Sequence, residues 1–536
     1  MLEETELEKE RRLSAPLADQ KRVIAHYMTG MLYHRGMPRK SANLRSEMYD
    51  PCGPSAKVGG LVQYRSMLAA YGEGLSIDES AAMEIRAAKK LGLDGFQFFY
   101  PLGDSEDMMA YYNQVVSAFF RVVIKEEIDF KLTLCLCNPR QHEKSERDKI
   151  AHWKKWIQPL ISEFGSSDAW LKTPGERFVF FTWCPDALSD AVDQHWMIGR
   201  QPELIRHSAG AYQRLAQNLG VDIAYVYHLR FQDRPEVVEA ALDHFPAIWG
   251  WTDSYAEDDP WEGIAKRCRV RNRSYTQTVY PDHYGSKVYP RKKGSRMLFY
   301  LKDVLALGVD GVERKIQVCG LSEVYRKLLE RAVKVDACMI NYATWNDYPE
   351  GHHLAPEVNH NYAFALLLKH YKRLWLGESP EPGEFACVFF KKYAHDVKAS
   401  HFHYQIKVTK ALASADVEDG IEVVCYLKNP AELLVNGVSR GQVAGGLQRR
   451  KFAMERGQVR VQLRRAGVDV IDFTTPEGMT DQPYRTDRLT YAYSSEFDRL
   501  HQEVFQGRFR PLVSDEYALD SDGQANWRSR YKLQEP

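Results

Sequence analysis

Between residues 21 and about 375 the chain alternates short apolar runs with segments of helical period. The runs fall at 22–28, 94–100, 131–137, 178–183, 223–228, 247–251, 274–280 and 337–343. Their lengths and β-branched or aromatic content predict strands. Between them, ESAAMEIRAAKKLG repeats Ala82, Ile85 and Leu91 near helical spacing, and LSEVYRKLLERAVK does the same with Leu321, Val324 and Leu328. Leu91-Gly92-Leu93-Asp94 and Leu219-Gly220-Val221-Asp222 each end a helical stretch and lead into a strand, with glycine at the stop. Eight strands joined by helical crossovers predict an α/β fold, a (β/α)8 TIM barrel. No Gly-x-Gly-x-x-Gly follows the first strand, which argues against a dinucleotide-binding sheet. A third copy, Leu307-Gly308-Val309-Asp310, precedes GVERKIQ, which is either a ninth strand or an excursion before the last helix.

After residue 380 the texture changes. GESPEPGE leads into FACVFFK, HFHYQIKVTKA, GIEVVCYL, GQVRVQL and GVDVID, where Ile421, Val423 and Cys425 alternate with other residues. Such alternation predicts an antiparallel β-sandwich with one wet face. The expected divisions are a charged segment 1–20, a barrel 21–375, a sandwich 385–495 and a C-terminal tail 496–536.

Charge narrows the partners. Lys+Arg and Asp+Glu are both 72, so no global field favours nucleic acid or an anionic membrane, and neither is expected as a partner. The longest apolar runs fall short of the ~20 residues a spanning helix needs. Residues 1–20 are charged and lack the apolar stretch of a secretion signal. As it stands the chain is expected in the cytoplasm, or outside the cell if a signal peptide was removed. Cys135 and Cys137 share one face of a strand, a poor geometry for a disulfide, and are expected as buried thiols.

In a barrel, chemistry sits where strands end and the following loops begin. Read in order, those positions give His26 and Tyr27, then Tyr100 and Asp104, Asn138, Trp183 with Asp186, and Tyr227 with His228. The sixth run gives Trp249, Trp251, Asp253, Tyr255 and Glu257, and the seventh gives Tyr280, Asp282 and His283. The eighth gives Trp345, Asn346, Asp347, Glu350, His352 and His353. Aromatic faces suit the apolar faces of sugar rings, and carboxylates can move a proton at a glycosidic oxygen. A lone Trp or Asp at such a position is ordinarily packing or solvated surface; the concentration at 249–259 and 344–353 is what points to function. His283, His352 and His353 could hold a metal, but no HExxH or CxxC spacing occurs, and no GxSxG elbow either. No metal and no organic cofactor is expected.

The eighth run also carries a resemblance. Thr344-Trp345-Asn346-Asp347-Tyr348-Pro349-Glu350-Gly351-His352-His353 resembles the TWNDYGESH signature of glycoside hydrolase family 71, the endo-α-1,3-glucanases or mutanases. Val23–Met28 (VIAHYM) is similar to that family's AHFMVG strand, 91–96 to its GIDAFALN, 178–183 to its PFVSTF, and 248–253 more loosely to its FSWDAWP. Pro349 departs from the family's glycine, and the loop 29–78 is long and distinctive.

The resemblance implies a glycosidase acting on an α-1,3-glucan-like polysaccharide with inversion. Inversion needs an acid and a base about 6.5–9.5 Å apart. Asp253 and Glu257 are the first candidates for that pair, with Asp347 and Glu350 as alternates and Asp104 as a water-orienting carboxylate. Trp183, Trp251, Tyr280 and Trp345 would line sugar subsites, with His26, Asn138 and Asn346 giving directional hydrogen bonds. Tyr100, Tyr227, His228, Asp282 and His352 complete the expected binding set. The competing reading is a non-catalytic glycan-binding or polysaccharide-assembly protein on the same barrel, and a related NEW-x-EG ending occurs in barrel domains tied to surface-polysaccharide synthesis. A metal-dependent hydrolase is a third.

Overall fold

The computed structural model describes residues 5–37, 66–68, 72, 74–103, 105–138, 144–191, 199–252, 260–290, 312–379, 382–397, 405–410, 418–481 and 489–506. Two compact units emerge. One comprises Met1–Leu32, Leu75–Tyr280 and Leu328–Asn346; the other comprises Tyr33–Gly74, Pro281–Lys327 and Asp347–Pro536.

The first unit is the barrel. Its strands are β1 (Arg22–Tyr27), β2 (Gly95–Pro101), β3 (Lys131–Cys137), β4 (Phe178–Trp183), β5 (Ile223–His228), β6 (Ala247–Trp249) and β7 (Ser274–Val279). Strands β8 (His283–Pro290) and β9 (Val312–Val318) intervene in the chain before β10 (Met339–Tyr342) closes the ring between β7 and β1. All eight pairings are parallel, and closure runs from Arg22 opposite Met339 to Ala25 opposite Tyr342. The expected barrel is present, and each strand lies within its predicted run except β2, which extends one residue beyond it to Pro101. Gly220 ends the helix Pro202–Leu219 at φ +69°, the left-handed conformation that a residue with a Cβ adopts at a cost.

Successive side chains of a strand point to opposite faces, so in a closed barrel alternate residues fill the interior. Ile24, Cys135, Val179, Phe181, Ala224, Val226, Ala247, Trp249 and Met339 form that interior cluster. A polar pair lies within the same unit, where the Gln97 amide donates to Asn341 Oδ1. Cys135 and Cys137 are buried thiols without a disulfide, as their spacing predicts.

The chain leaving β10 is laced to the end of β1. Trp345 N–H donates to the His26 carbonyl at 2.7 Å, and Asn346 Oδ1 accepts from Met28 N–H at 2.7 Å. The Trp345 indole is wholly buried, stands 5.5 Å from the Phe96 ring, and donates its N–H to Glu84 on the helix Ile77–Lys90.

The second unit is built mainly from antiparallel strands. One sheet has the order β16 (Gly446–Phe452), β13 (Ile421–Leu427), β11 (Phe385–Lys391), β19 (Thr490–Ser494). Another has the order β15 (Val438–Val443), β14 (Ala431–Val435), β17 (Gly457–Arg465), β18 (Val468–Met479). GVERKIQ is an excursion rather than a barrel strand: β9 pairs antiparallel with β8 and parallel with β12 (Gln405–Lys410). The wet face expected of 421–427 is not wet, because every residue of β13 is buried. Glu422 on that strand is 0% exposed and accepts from Ser322 N–H at 2.8 Å and from Arg449 Nε at 2.5 Å, with Arg326 at 3.4 Å. A buried carboxylate needs such partners to remain charged. No helix among the described residues is long and apolar enough to cross a membrane.

Burial raises the Glu84 carboxyl from 4.5 to about 8, with the Trp345 N–H pulling weakly the other way. A folded-state pKa above the unfolded one means the native state holds an extra proton, so this contribution is complete below 4.5 and is lost as pH rises to about 8. Glu84→Gln keeps an acceptor for Trp345 and removes the titration. Urea melts across pH 4.5–8 should therefore lose a downward stability slope worth on the order of a few kcal/mol in the variant. An unchanged slope would place the titration elsewhere.

Candidate active site

The interior alternation decides which strand-end residues face the carboxyl end of the barrel. Continuing inward from Ile24, Phe181, Val226 and Ala247 leads to His26, Trp183, His228, Trp249 and Trp251. These side chains meet. The His228 imidazole stacks on Trp183 with centroids 4.2 Å apart and planes 12° from parallel. Trp251 meets Trp183 edge-on at 4.7 Å and His26 at 4.9 Å. Phe99 joins at 5.5 Å from His26, and Trp249 lies 5.0 Å from His228. Phe99, Trp183 and Trp251 are half-buried, so the aromatic cluster is reachable from solvent, whereas Trp249 is wholly buried.

His228 is the group in this cluster whose chemistry is unspent. It is 2% exposed, and among the described residues neither ring nitrogen has a hydrogen-bond partner. Burial, followed by the charges of Arg230 and His26, holds its pKa well below the usual histidine value. The ring is therefore neutral near pH 7 and offers one donor and one acceptor. A buried polar side chain without a partner is uncommon and calls for a ligand, a water or a strain to explain it.

Residues of the opposite parity serve the barrel wall. Tyr227, adjacent to His228, packs 4.7 Å from Phe245 and donates its hydroxyl to Asp186 at 3.1 Å. Tyr100 donates to Asn113. Asn138 bonds Tyr212 Oη at 2.7 Å and Trp153 Nε1 at 2.9 Å. Tyr280 is buried with its hydroxyl on the Thr252 carbonyl, Asn346 is committed to the Met28 backbone, and Trp345 to Glu84. Of the expected binding residues, the structure gathers His26, Trp183, His228 and Trp251 and uses the others named here internally.

Asp186, noted in the sequence beside Trp183, was given no role there. It is 0% exposed and also accepts from Gly199 N–H at 2.7 Å. Burial raises it to about 6 against the pull of those hydrogen bonds. With Tyr227 and Gly199 already on it, its role is to fix the turn after β4. Its signal in the sequence was weak, since Cys184-Pro185-Asp186 reads as an ordinary turn.

The carboxylates expected to do chemistry divide. Asp104, Asp253 and Glu257 lie outside the described residues. Asp347, Glu350 and His352 belong to the second unit and come together there. His352 Nε2 is 3.0 Å from Glu350 Oε2 and 3.9 Å from Asp347 Oδ2, and one oxygen of each carboxylate lies within 4.8 Å of the other. Asp347 and His352 are buried and Glu350 is half-buried, so the carboxylates are held by one imidazole without all three being sealed from solvent. His283 stands 5.4 Å from His352, ring to ring. Asp282 is buried in the same unit. Burial pushes its carboxyl up, but the Lys391 ammonium and the neighbouring His360 and Thr490 side chains outweigh that and hold it well below the carboxylate range.

A cavity of about 770 Å³ opens elsewhere in the barrel unit, lined by Tyr212, Gln217, Asp222, Tyr225, His244 and Phe245 among others. It adjoins the residues that precede or begin β5 and β6, the amino ends of those strands. Barrel chemistry sits at the carboxyl ends, so the aromatic cluster and not this cavity is the candidate site.

No protein-family model matches the chain, and no curated protein matches it. Among solved structures, a GH99 endo-α-mannosidase from Bacteroides thetaiotaomicron is 14% identical over 66% of this chain and 98% of its own, with a TM-score of 0.44. A glycoside hydrolase-like protein is 11% identical over 67% and 95%, at 0.38. A calcium-binding mutant of Bacteroides uniformis β-glucuronidase 2 is 10% identical over 77% of this chain and 44% of its own, at 0.41. Likenesses this distant carry no argument; the barrel rests on its own strand pairing.

Two tryptophans one step apart should answer truncation differently. Trp249→Ala removes a wholly buried side chain and should destabilise by about 3–5 kcal/mol. Trp251→Ala, at a half-buried position, should cost less than about 2 kcal/mol. Urea denaturation of both variants checks this ordering, and equal losses would make Trp251 core rather than surface.

Proposed function

We propose that this chain is a glycoside hydrolase whose barrel end binds sugar through Trp183, Trp251, His26 and His228. The observation that carries the reading is His228: a buried neutral imidazole without a partner among the described residues, stacked against a half-exposed tryptophan. A sugar supplies both complements, a C–H face for the ring system and hydroxyls for the imidazole nitrogens. The resemblance of 344–353 to the family 71 signature supports an α-1,3-glucan-like polysaccharide as the substrate.

For the chemistry we propose Asp347 and Glu350, which follow the closing strand in the chain, with His352 orienting both. One carboxyl protonates the glycosidic oxygen as the bond to the anomeric carbon breaks. The other attacks that carbon, and water then releases the sugar with the first carboxylate acting as base. One oxygen of each carboxylate lies within 4.8 Å of the other, nearer the ~5–5.5 Å spacing of retaining pairs than the ~6.5–9.5 Å of inverting ones. The pair therefore supports retention, in place of the inversion that the family resemblance implies.

Asp347→Asn and Glu350→Gln should each lower turnover on α-1,3-gluco-oligosaccharides about 10²–10⁴-fold with little change in sugar affinity. Proton NMR of the first product should show the anomer of the substrate. Near-parental turnover in both variants, or an inverted first product, would move the chemistry to a carboxylate on another loop. A parent protein that binds these oligosaccharides without cleaving them would make it a binding protein.

A further inference from the structure

Within the second unit, apart from the carboxylates just described, lies a buried group of metal-ligand type. His353, Glu357 and His360 are 1%, 0% and 3% exposed. Each offers one ligand atom, and the three atoms lie within 4.8 Å of one another. Glu357 Oε1 is 3.7 Å from His353 Nε2 and 3.5 Å from His360 Nδ1. Those separations are long for hydrogen bonds. They are close to the ~3.3 Å between ligand atoms of a tetrahedral site with bonds of about 2.0–2.1 Å. The two imidazoles lie nearly parallel, 5.2 Å apart at 19°.

The surroundings fit ligation. The other nitrogen of His360, Nε2, is 3.7 Å from Asp282 Oδ2, which places a carboxylate behind the ring. Glu357 is fixed by the Asn359 N–H at 2.7 Å and by the His360 N–H. Asn359 sits in the same loop. It is 1% exposed, and among the described residues neither atom of its side-chain amide has a hydrogen-bond partner. Unsatisfied buried amides are where an ion or a water belongs.

We propose that His353, Glu357 and His360 form a structural site for one divalent transition-metal ion of the zinc class, with Asp282 as the carboxylate behind His360. Two imidazoles and one carboxylate favour zinc or cobalt over calcium or magnesium, which prefer oxygen. The ion would offset the negative charge of Glu357 and Asp282 in a place closed to solvent and tie the loop 353–360 to residue 282. The spacing His-x3-Glu-x2-His is neither HExxH nor CxxC. The carboxylate Asp282 stands far from it in the chain.

The test uses the full-length chain with any affinity tag removed, stripped with a chelator and then loaded with Zn²⁺ or Co²⁺. After gel filtration, about one equivalent of metal per chain should remain. The Co²⁺ form should show the intense visible bands of tetrahedral nitrogen and oxygen coordination, and adding Zn²⁺ should raise the melting temperature of the stripped protein. His360→Gln and Glu357→Gln should each lower retained metal at least tenfold. If the variants fail to fold, the cobalt spectrum of the parent decides. A folded parent that retains less than a tenth of an equivalent would overturn the site. So would one equivalent retained undiminished by folded variants, or a weak octahedral spectrum. None of these readouts depends on glycoside turnover, so failure here leaves the proposed activity standing, and the reverse also holds.

Discussion

Closing an eight-stranded parallel sheet removes choice from every strand. Once Arg22–Ala25 pairs with Met339–Tyr342, one parity of each strand must fill the interior and the other must face the helices. The last inward residue of a strand is then delivered to the carboxyl end of the barrel, whatever its chemistry. In this chain those residues are mostly aromatic, with two imidazoles among them. The aromatic cluster follows from closure, and its position follows from the same register that builds the apolar interior of Ile24, Val179, Val226 and Met339.

The same constraint explains how much of the site could be read in advance. Apolar length and helical spacing located all eight barrel strands, because buried parallel strands are short continuous apolar runs. Residues at strand ends were legible as a set but not by direction. Tyr227 and His228 are neighbours, and a shift of one position exchanges wall for interior. Tyr227 turned out to brace Asp186 while His228 faces Trp183. Asn138 likewise follows the inward Cys137 and serves the wall. Trp345 looked like a sugar platform because of its motif, yet its indole N–H is spent on Glu84, 261 residues away in the chain. Long-range partners of this kind leave no local signal.

The pairing of β8, β9 and β12 was illegible for a related reason. A run such as GVERKIQ has the composition of a strand, but its partners lie at 283–290 and 405–410, and one of those pairings is parallel. Composition gives an element and not its neighbour. Buried charge in β13 hid the same way. Glu422 lies between Ile421 and Val423 of the alternation expected to have a wet face, and it is the contacts with Ser322, Arg326 and Arg449 that allow it inside.

The central claim is that the aromatic end of the barrel holds sugar. A crystal structure of the chain soaked with α-1,3-gluco-oligosaccharides tests it most directly. A pyranose ring should lie against Trp183 or Trp251, with a hydroxyl about 2.7–3.2 Å from a nitrogen of His228. An oligosaccharide bound in the cavity beside Tyr212 and His244, with the aromatic cluster empty, would contradict it.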